Sequence, residues 1–138
     1  MTMMAPARAT LHSPYRNRVS LAAGPLAAAQ ARRHVGAVIE AWRVPVDPDV
    51  AVLLTSELVT NAIQHDPGGQ QPIQLVIAWA ASELCVEVHD GSRAAPVPAD
   101  APPDAEAGRG LMLLASLSKD WGYRETAAGK AVYFTLVP

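Results

Sequence analysis

Cysteine is nearly absent. Cys85 is the single one in the chain, so no intrachain disulfide can form. Aromatic residues make up only 5% and charged residues 17%, and no run of like charge marks a polybasic or acidic tail. A formal net charge of −2 and an isoelectric point near 6.0 leave no electrostatic footprint for nucleic acid. Apolar runs stop well short of the ~18 residues that a membrane span needs, and no secretory signal is visible. The four histidines, His12, His34, His65 and His89, do not fall at zinc-ligand spacing. Lysine is scarce beside alanine, proline and arginine, which hints at a GC-rich coding genome and says nothing of function. The absences together lead us to expect a cytoplasmic protein without direct nucleic-acid or membrane contact.

What is present is apolar: 50% of 138 residues, enough for one domain with one ordinary core. Residues 1–14 lack periodicity and read as a tail, leaving 15–138 as the domain. Tyr15–Ala22 is expected to form a first strand. Gly24-Pro25 then opens a helix to about Trp42, with Ala28, Ala31, Val35, Val38, Ile39 and Trp42 on its inner face. Ile73–Trp79 and Leu84–His89 alternate as strands around the turn Ala80–Glu83, which predicts an antiparallel hairpin. Trp121–Glu125 and Ala131–Val137 predict a second hairpin over Thr126–Lys130.

Between the hairpins the character changes. Asp90-Gly91-Ser92 breaks the strand, and Ala94–Ala107 is a Pro/Ala/Asp stretch without apolar periodicity, as in a functional lid or a disordered loop. Gly108-Arg109-Gly110 leads into a helix expected over Leu111–Lys119. Glycines at a helix entrance permit close backbone approach, and free N–H groups at the positive dipole end can hold an anion. Many helices begin after a glycine, so this signal alone is weak.

The stretch around which the rest is organised is Thr55–Asp66, TSELVTNAIQHD. It belongs to a helix expected from about Pro48 to Gln64, with Asp47 as N-cap, Pro48 at the first helical position and Pro67-Gly68-Gly69 ending it. At roughly 100° per residue, Val50, Leu54, Glu57, Leu58 and Asn61 share one side, while Val52, Val59 and Ile63 take the other. A helix apolar on two faces is buried between layers. A carboxylate and an amide on such a face are costly without partners. From spacing alone two readings stand level: core polar groups bonded to nearby backbone, or groups facing a cleft that holds a cation and a phosphate-bearing ligand. Other chemistries are weaker. Gly129-Lys130 matches only the end of a P-loop, with Arg124 where that motif needs glycine and no Ser/Thr after the lysine. Ser56 and Ser92 have no nucleophile-elbow setting.

The order E-x-x-x-N on a buried helix, a strand ending in Asp-Gly, an irregular segment and G-x-G beside a helix resembles the ATP-binding superfamily of gyrase, heat-shock chaperones, histidine kinases and mismatch-repair proteins (the Bergerat, or GHKL, fold). ELVTNAIQH, VHDGS and EAGRGLMLL resemble its asparagine, adenine and phosphate boxes, and the likeness runs from about Arg18 to Val137. Within the superfamily the chain is most similar to stand-alone anti-sigma-factor serine/threonine kinases of actinobacterial type. The resemblance implies an α+β fold: a two-layer α/β sandwich whose mixed, mainly antiparallel sheet carries helices on one face. It implies ATP and Mg²⁺ as ligands. Asn61 would be the metal ligand, Glu57 the general base, Asp90 the acceptor for the adenine amino group and Gly91 the open floor of that pocket. Gly108, Arg109 and Gly110 would hold the phosphates, Ala94–Ala107 would close as the lid, and Thr135 is the candidate to support Asp90. The implied partners are a sigma factor and an anti-anti-sigma (STAS-type) antagonist phosphorylated on serine, and kin of this type often pair as homodimers. The alternative is a nucleotide-gated protein-binding regulator without kinase activity. The adenine box departs from D-x-G-x-G, reading Asp90-Gly91-Ser92-Arg93.

Overall fold

The computed structural model describes residues 15–65, 71–92 and 106–138, with only the backbone described at 65 and 106–111. The elements are β1 (Tyr15–Leu21), α1 (Ala27–Trp42), α2 (Pro48–His65), β2 (Ile73–Ala80), β3 (Glu83–Asp90), α3 (Glu106–Leu117), β4 (Asp120–Glu125) and β5 (Lys130–Leu136). The fold is α+β: one five-stranded sheet in the order β1-β2-β3-β5-β4, with helices against one face.

All four pairings are antiparallel, so the mainly antiparallel sheet expected from sequence contains no parallel pair among the described strands. The reason is local. β4 and β5 form a hairpin, and the hairpin docks through β5 onto β3 in the opposite direction. Strand parity then sorts every side chain. Leu84, Val86 and Val88 share a face with Leu75, Ile77, Val132 and Phe134, and all belong to the buried cluster beneath the helices. Cys85, Glu87 and His89 point to the other face.

The helix α2 occupies the centre. It lies against α1, α3, β3 and β5, which is why it needs apolar residues on more than one side. Leu54 and Leu58 are 0% and 1% exposed. Truncating either to alanine should cost roughly 2–5 kcal/mol, since the neighbouring layers cannot collapse into the space. The start of α2 follows the sequence reading closely. Asp47 Oδ1 accepts the N–H groups of Asp49 at 2.9 Å and Val50 at 3.4 Å, which is the work of an N-cap.

Two boundaries differ from expectation. The last helix begins at Glu106 rather than Leu111, so Gly108 and Gly110 lie within its first turns instead of ahead of them. The expected lid falls for the most part outside the described residues, and its last two positions, Glu106 and Ala107, are helical.

Candidate functional site

The stripe of α2 that carries Leu54 and Leu58 into the core continues to Asn61, which is 5% exposed. Neither Asn61 Oδ1 nor Nδ2 has a hydrogen-bond partner among the described residues, although both atoms are buried. A buried side-chain amide left in that state costs free energy with no return within the chain. The nearby Thr55 shows what a satisfied polar group on this helix looks like: fully buried, its hydroxyl donates to the Ala51 carbonyl at 2.7 Å. Glu57 lies one turn before Asn61 and is half-buried.

The second part of the group is the end of β3. By parity Asp90 continues the row Leu84, Val86 and Val88, so its carboxylate is on the helix side of the sheet. Its Oδ1 accepts the Ser92 N–H at 2.8 Å and Lys130 Nζ at 3.1 Å. Its Oδ2 is buried without a partner. Gly91 follows at an exposed bend. The turn between β4 and β5 is pressed against this backbone. A Cβ on Gly129 would lie 2.1 Å from the Asp90 carbonyl oxygen and 2.7 Å from Gly91 Cα, so only glycine fits there.

The third part is α3, which packs on α2. The N–H groups of its first three residues, Glu106, Ala107 and Gly108, have no acceptor within the helix. Gly108 falls in that set, whereas Gly110 lies two positions further in. Thus α2 touches both β3 and α3, and the residues expected from sequence at Glu57, Asn61, Asp90, Gly91, Gly108, Arg109 and Gly110 sit on three elements that meet at one core.

Thr135 is not part of this group. It pairs with Cys85 and lies on the opposite face of the sheet, where its hydroxyl accepts the Asp120 N–H at 3.1 Å. The residue across from Asp90 is Lys130, and it supplies the support that had been sought in Thr135. Sequence reasoning missed it by testing Gly129-Lys130 only against the P-loop. The signal was there: Lys130 alternates in register with Val132, Phe134 and Leu136, which makes it a lysine at a core position.

The helix-free face has its own polar network. Glu87 is 4% exposed and is bonded by Arg124, with His89 Nε2 3.6 Å from its other oxygen. Burial pushes its carboxyl up, but the bonds from His89 and Arg124 prevail and hold it below the ordinary value. Burial, with Glu87 adjacent, pushes the Cys85 thiol far up, so it is an unreactive group. A cavity of about 680 Å³ also opens at the sheet end, lined by Arg18, Gln74, His89, Asp90, Gly91 and Thr126 among others. It shares Asp90 and Gly91 with the group above, whereas Glu57 and Asn61 do not line it. Among the described residues no three His, Cys, Asp or Glu side chains cluster in a way that could hold a metal ion by themselves. A divalent cation beside Asn61 would therefore have to share its coordination with a ligand's oxygens. An orphaned amide oxygen suits such a hard cation.

This order of a buried asparagine helix, an aspartate-ended strand and a glycine-bearing helix over an antiparallel sheet defines an ATPase-like class of domain. The chain belongs to the histidine kinase-like ATPase domain family, which matches residues 17–136. Among solved structures, the fold is similar to the crystal structure of the RsbU and RsbW domains of Rv1364c from Mycobacterium tuberculosis, with a TM-score of 0.66 at 19% identity. That match covers 88% of this chain and 32% of the other, so this chain spans about a third of that protein's length. No curated protein sequence matches the chain. No described helix is long and apolar enough to cross a membrane.

Proposed function

We propose that the protein binds Mg-ATP between α2, the end of β3 and α3, and transfers its γ-phosphoryl group to a serine or threonine of a partner protein. The observation that carries this reading is Asn61: a buried amide with neither polar atom satisfied, on the one helix that touches both other parts of the group. Asp90 adds a second buried acceptor, Oδ2, which has no partner among the described residues and would accept the exocyclic amino group of adenine.

Asn61 Oδ1 is the atom that would hold Mg²⁺, and the ion supplies charge neutralisation on the phosphate oxygens. The N–H groups at the start of α3, including that of Gly108, receive phosphate, and Arg109 adds charge there. Glu57 takes the proton from the attacking hydroxyl as its oxygen bonds to the γ-phosphorus. The bond from that phosphorus to the β–γ bridging oxygen breaks, and ADP leaves with the electron pair. Such a transfer depends on position and electrostatics, so one base, one metal ligand and a set of amides suffice. Family membership and the RsbW-containing neighbour support a regulatory partner system: a sigma factor held by this domain and a STAS-type antagonist as the phosphoryl acceptor.

The test is transfer of labelled γ-phosphate from ATP to such an antagonist. Wild type should transfer, and Glu57→Gln should lower kcat by about 10²–10⁴-fold while ATP binding persists. Undiminished transfer by Glu57→Gln removes the base assignment. A second reading, a nucleotide-gated binding module without chemistry, is favoured by the Asp90-Gly91-Ser92-Arg93 departure from D-x-G-x-G. It predicts tight ATP binding with no transfer to any antagonist.

A further inference from the structure

The phosphoryl-transfer reading gives Asp90 a role but does not require its partner to be a lysine, yet Lys130–Asp90 is the most deeply buried ion pair among the described residues. The two side chains are 2% and 3% exposed. Lys130 Nζ and the Ser92 N–H both bond Asp90 Oδ1, at 3.1 and 2.8 Å, while Oδ2 has no partner. The two oxygens therefore differ: one is fixed and the other is an open acceptor. The backbone beneath them is fixed as well, since Gly129 of the β4–β5 turn sits against Asp90 and Gly91 too closely for any Cβ. Thr126 N–H donates to the Gly129 carbonyl at 3.0 Å and holds that turn closed.

Burying an ammonium group is far more costly than burying a hydroxyl or an amide. Either neutral group could donate to Oδ1. What a lysine adds is charge. A carboxylate kept ionised by a buried cation can only accept a hydrogen bond, whereas a neutral carboxyl can also donate one through its O–H. That difference decides which purine fits. Adenine presents an amino group at its 6-position; guanine and hypoxanthine present a carbonyl there.

We infer that Lys130 is the residue that sets base selectivity: by holding Asp90 as a carboxylate with Oδ1 taken, it makes Oδ2 an obligate acceptor for a 6-amino purine. The inference rests on the nucleotide reading above. Lys130 acts through Asp90 and is a positioning residue, not a catalytic one. Removing its charge leaves a buried carboxylate without its counter-ion. The arrangement that reserves Oδ2 for a 6-amino group is then no longer fixed.

The experiment measures Kd for Mg-ATP and Mg-ITP by calorimetry on the full chain as wild type, Lys130→Gln and Lys130→Arg. ITP replaces the 6-amino group by a carbonyl and carries a hydrogen on N1, both on the same edge of the base, so the ratio of the two constants reads how that edge is recognised. Wild type should prefer ATP, Lys130→Arg should keep the preference, and Lys130→Gln should narrow it by about tenfold or more. A role in packing alone would weaken both nucleotides together and leave the ratio unchanged, and that result from Lys130→Gln overturns the inference. So does a Lys130→Arg ratio that falls with that of Lys130→Gln, because charge would then not be what matters. If Lys130→Gln does not fold, Lys130→Thr supplies a smaller neutral donor and is judged the same way. Wild type that binds neither nucleotide overturns the nucleotide reading itself, and this inference with it.

Discussion

At the scale of single residues, the site is defined by polar atoms that the chain does not satisfy. Asn61 has two of them and Asp90 one, in a core where Thr55 finds a partner within its own helix. A core amide kept for structure would be destabilising to remove. A ligand-binding amide behaves in the opposite way when the ligand is absent. Asn61→Leu, close to Asn in volume, removes two stranded polar atoms and adds apolar contact. We expect the apo protein to melt at the same temperature or higher. Wild type at 100 times Kd of Mg-ATP gains about 2.7 kcal/mol, or about 10 °C for a domain of this size. The leucine variant should show no such shift. Differential scanning fluorimetry with and without Mg-ATP measures both halves, and a large fall in the apo melting temperature would sink the ligand role of Asn61.

At the scale of elements, legibility in the sequence followed the range of the interactions that fix each one. The start of α2 was readable because Asp47 and Pro48 act within one turn. The strands were readable from alternation, to within a residue or two. The sequence places the start of α3 at Leu111 because Gly108-Arg109-Gly110 reads as a helix entrance, whereas the helix runs through these glycines and packs on α2. Thr135 was chosen without the β3–β5 register. That register places Lys130 against Asp90 and Thr135 five positions away on the other face, and no local pattern reveals it.

The β2–β3 turn shows a further local conflict. Ala81 and Ser82 both have positive φ, 53° and 60°, as a two-residue turn of type I′ demands. Side chains with a Cβ are strained there. Replacing the pair with Asn-Gly (Ala81→Asn with Ser82→Gly) should stabilise the protein by about 1–2 kcal/mol. Urea unfolding should show a higher midpoint with an unchanged m-value. No gain at the midpoint would mean that the turn is not the strained element its dihedrals indicate.

At the scale of the whole molecule, the sheet separates two kinds of buried polar chemistry. The helix side holds Asn61 and Asp90 with atoms left over for a ligand. The other side holds Glu87, which pairs with Arg124 and so joins the central strand β3 to the edge strand β4, with His89 Nε2 3.6 Å away and without a hydrogen-bond partner among the described residues. Glu87 belongs to the second kind and contributes to the acid stability of the free protein. The Glu87 carboxyl is held below its ordinary value of 4.5, so the folded state binds its proton less readily than the unfolded chain does. Its contribution is therefore complete above that ordinary value and is lost as pH falls through the lower folded-state value. Wild-type stability in urea should stay level, as far as Glu87 governs it, from neutral pH to about 5 and then decline toward pH 3. Glu87→Gln cannot titrate, so its curve should start lower and fall less steeply over the same window. If the two curves run parallel below pH 5, the pairing with Arg124 and His89 does not hold the sheet together, and the acid-sensitive group must lie elsewhere.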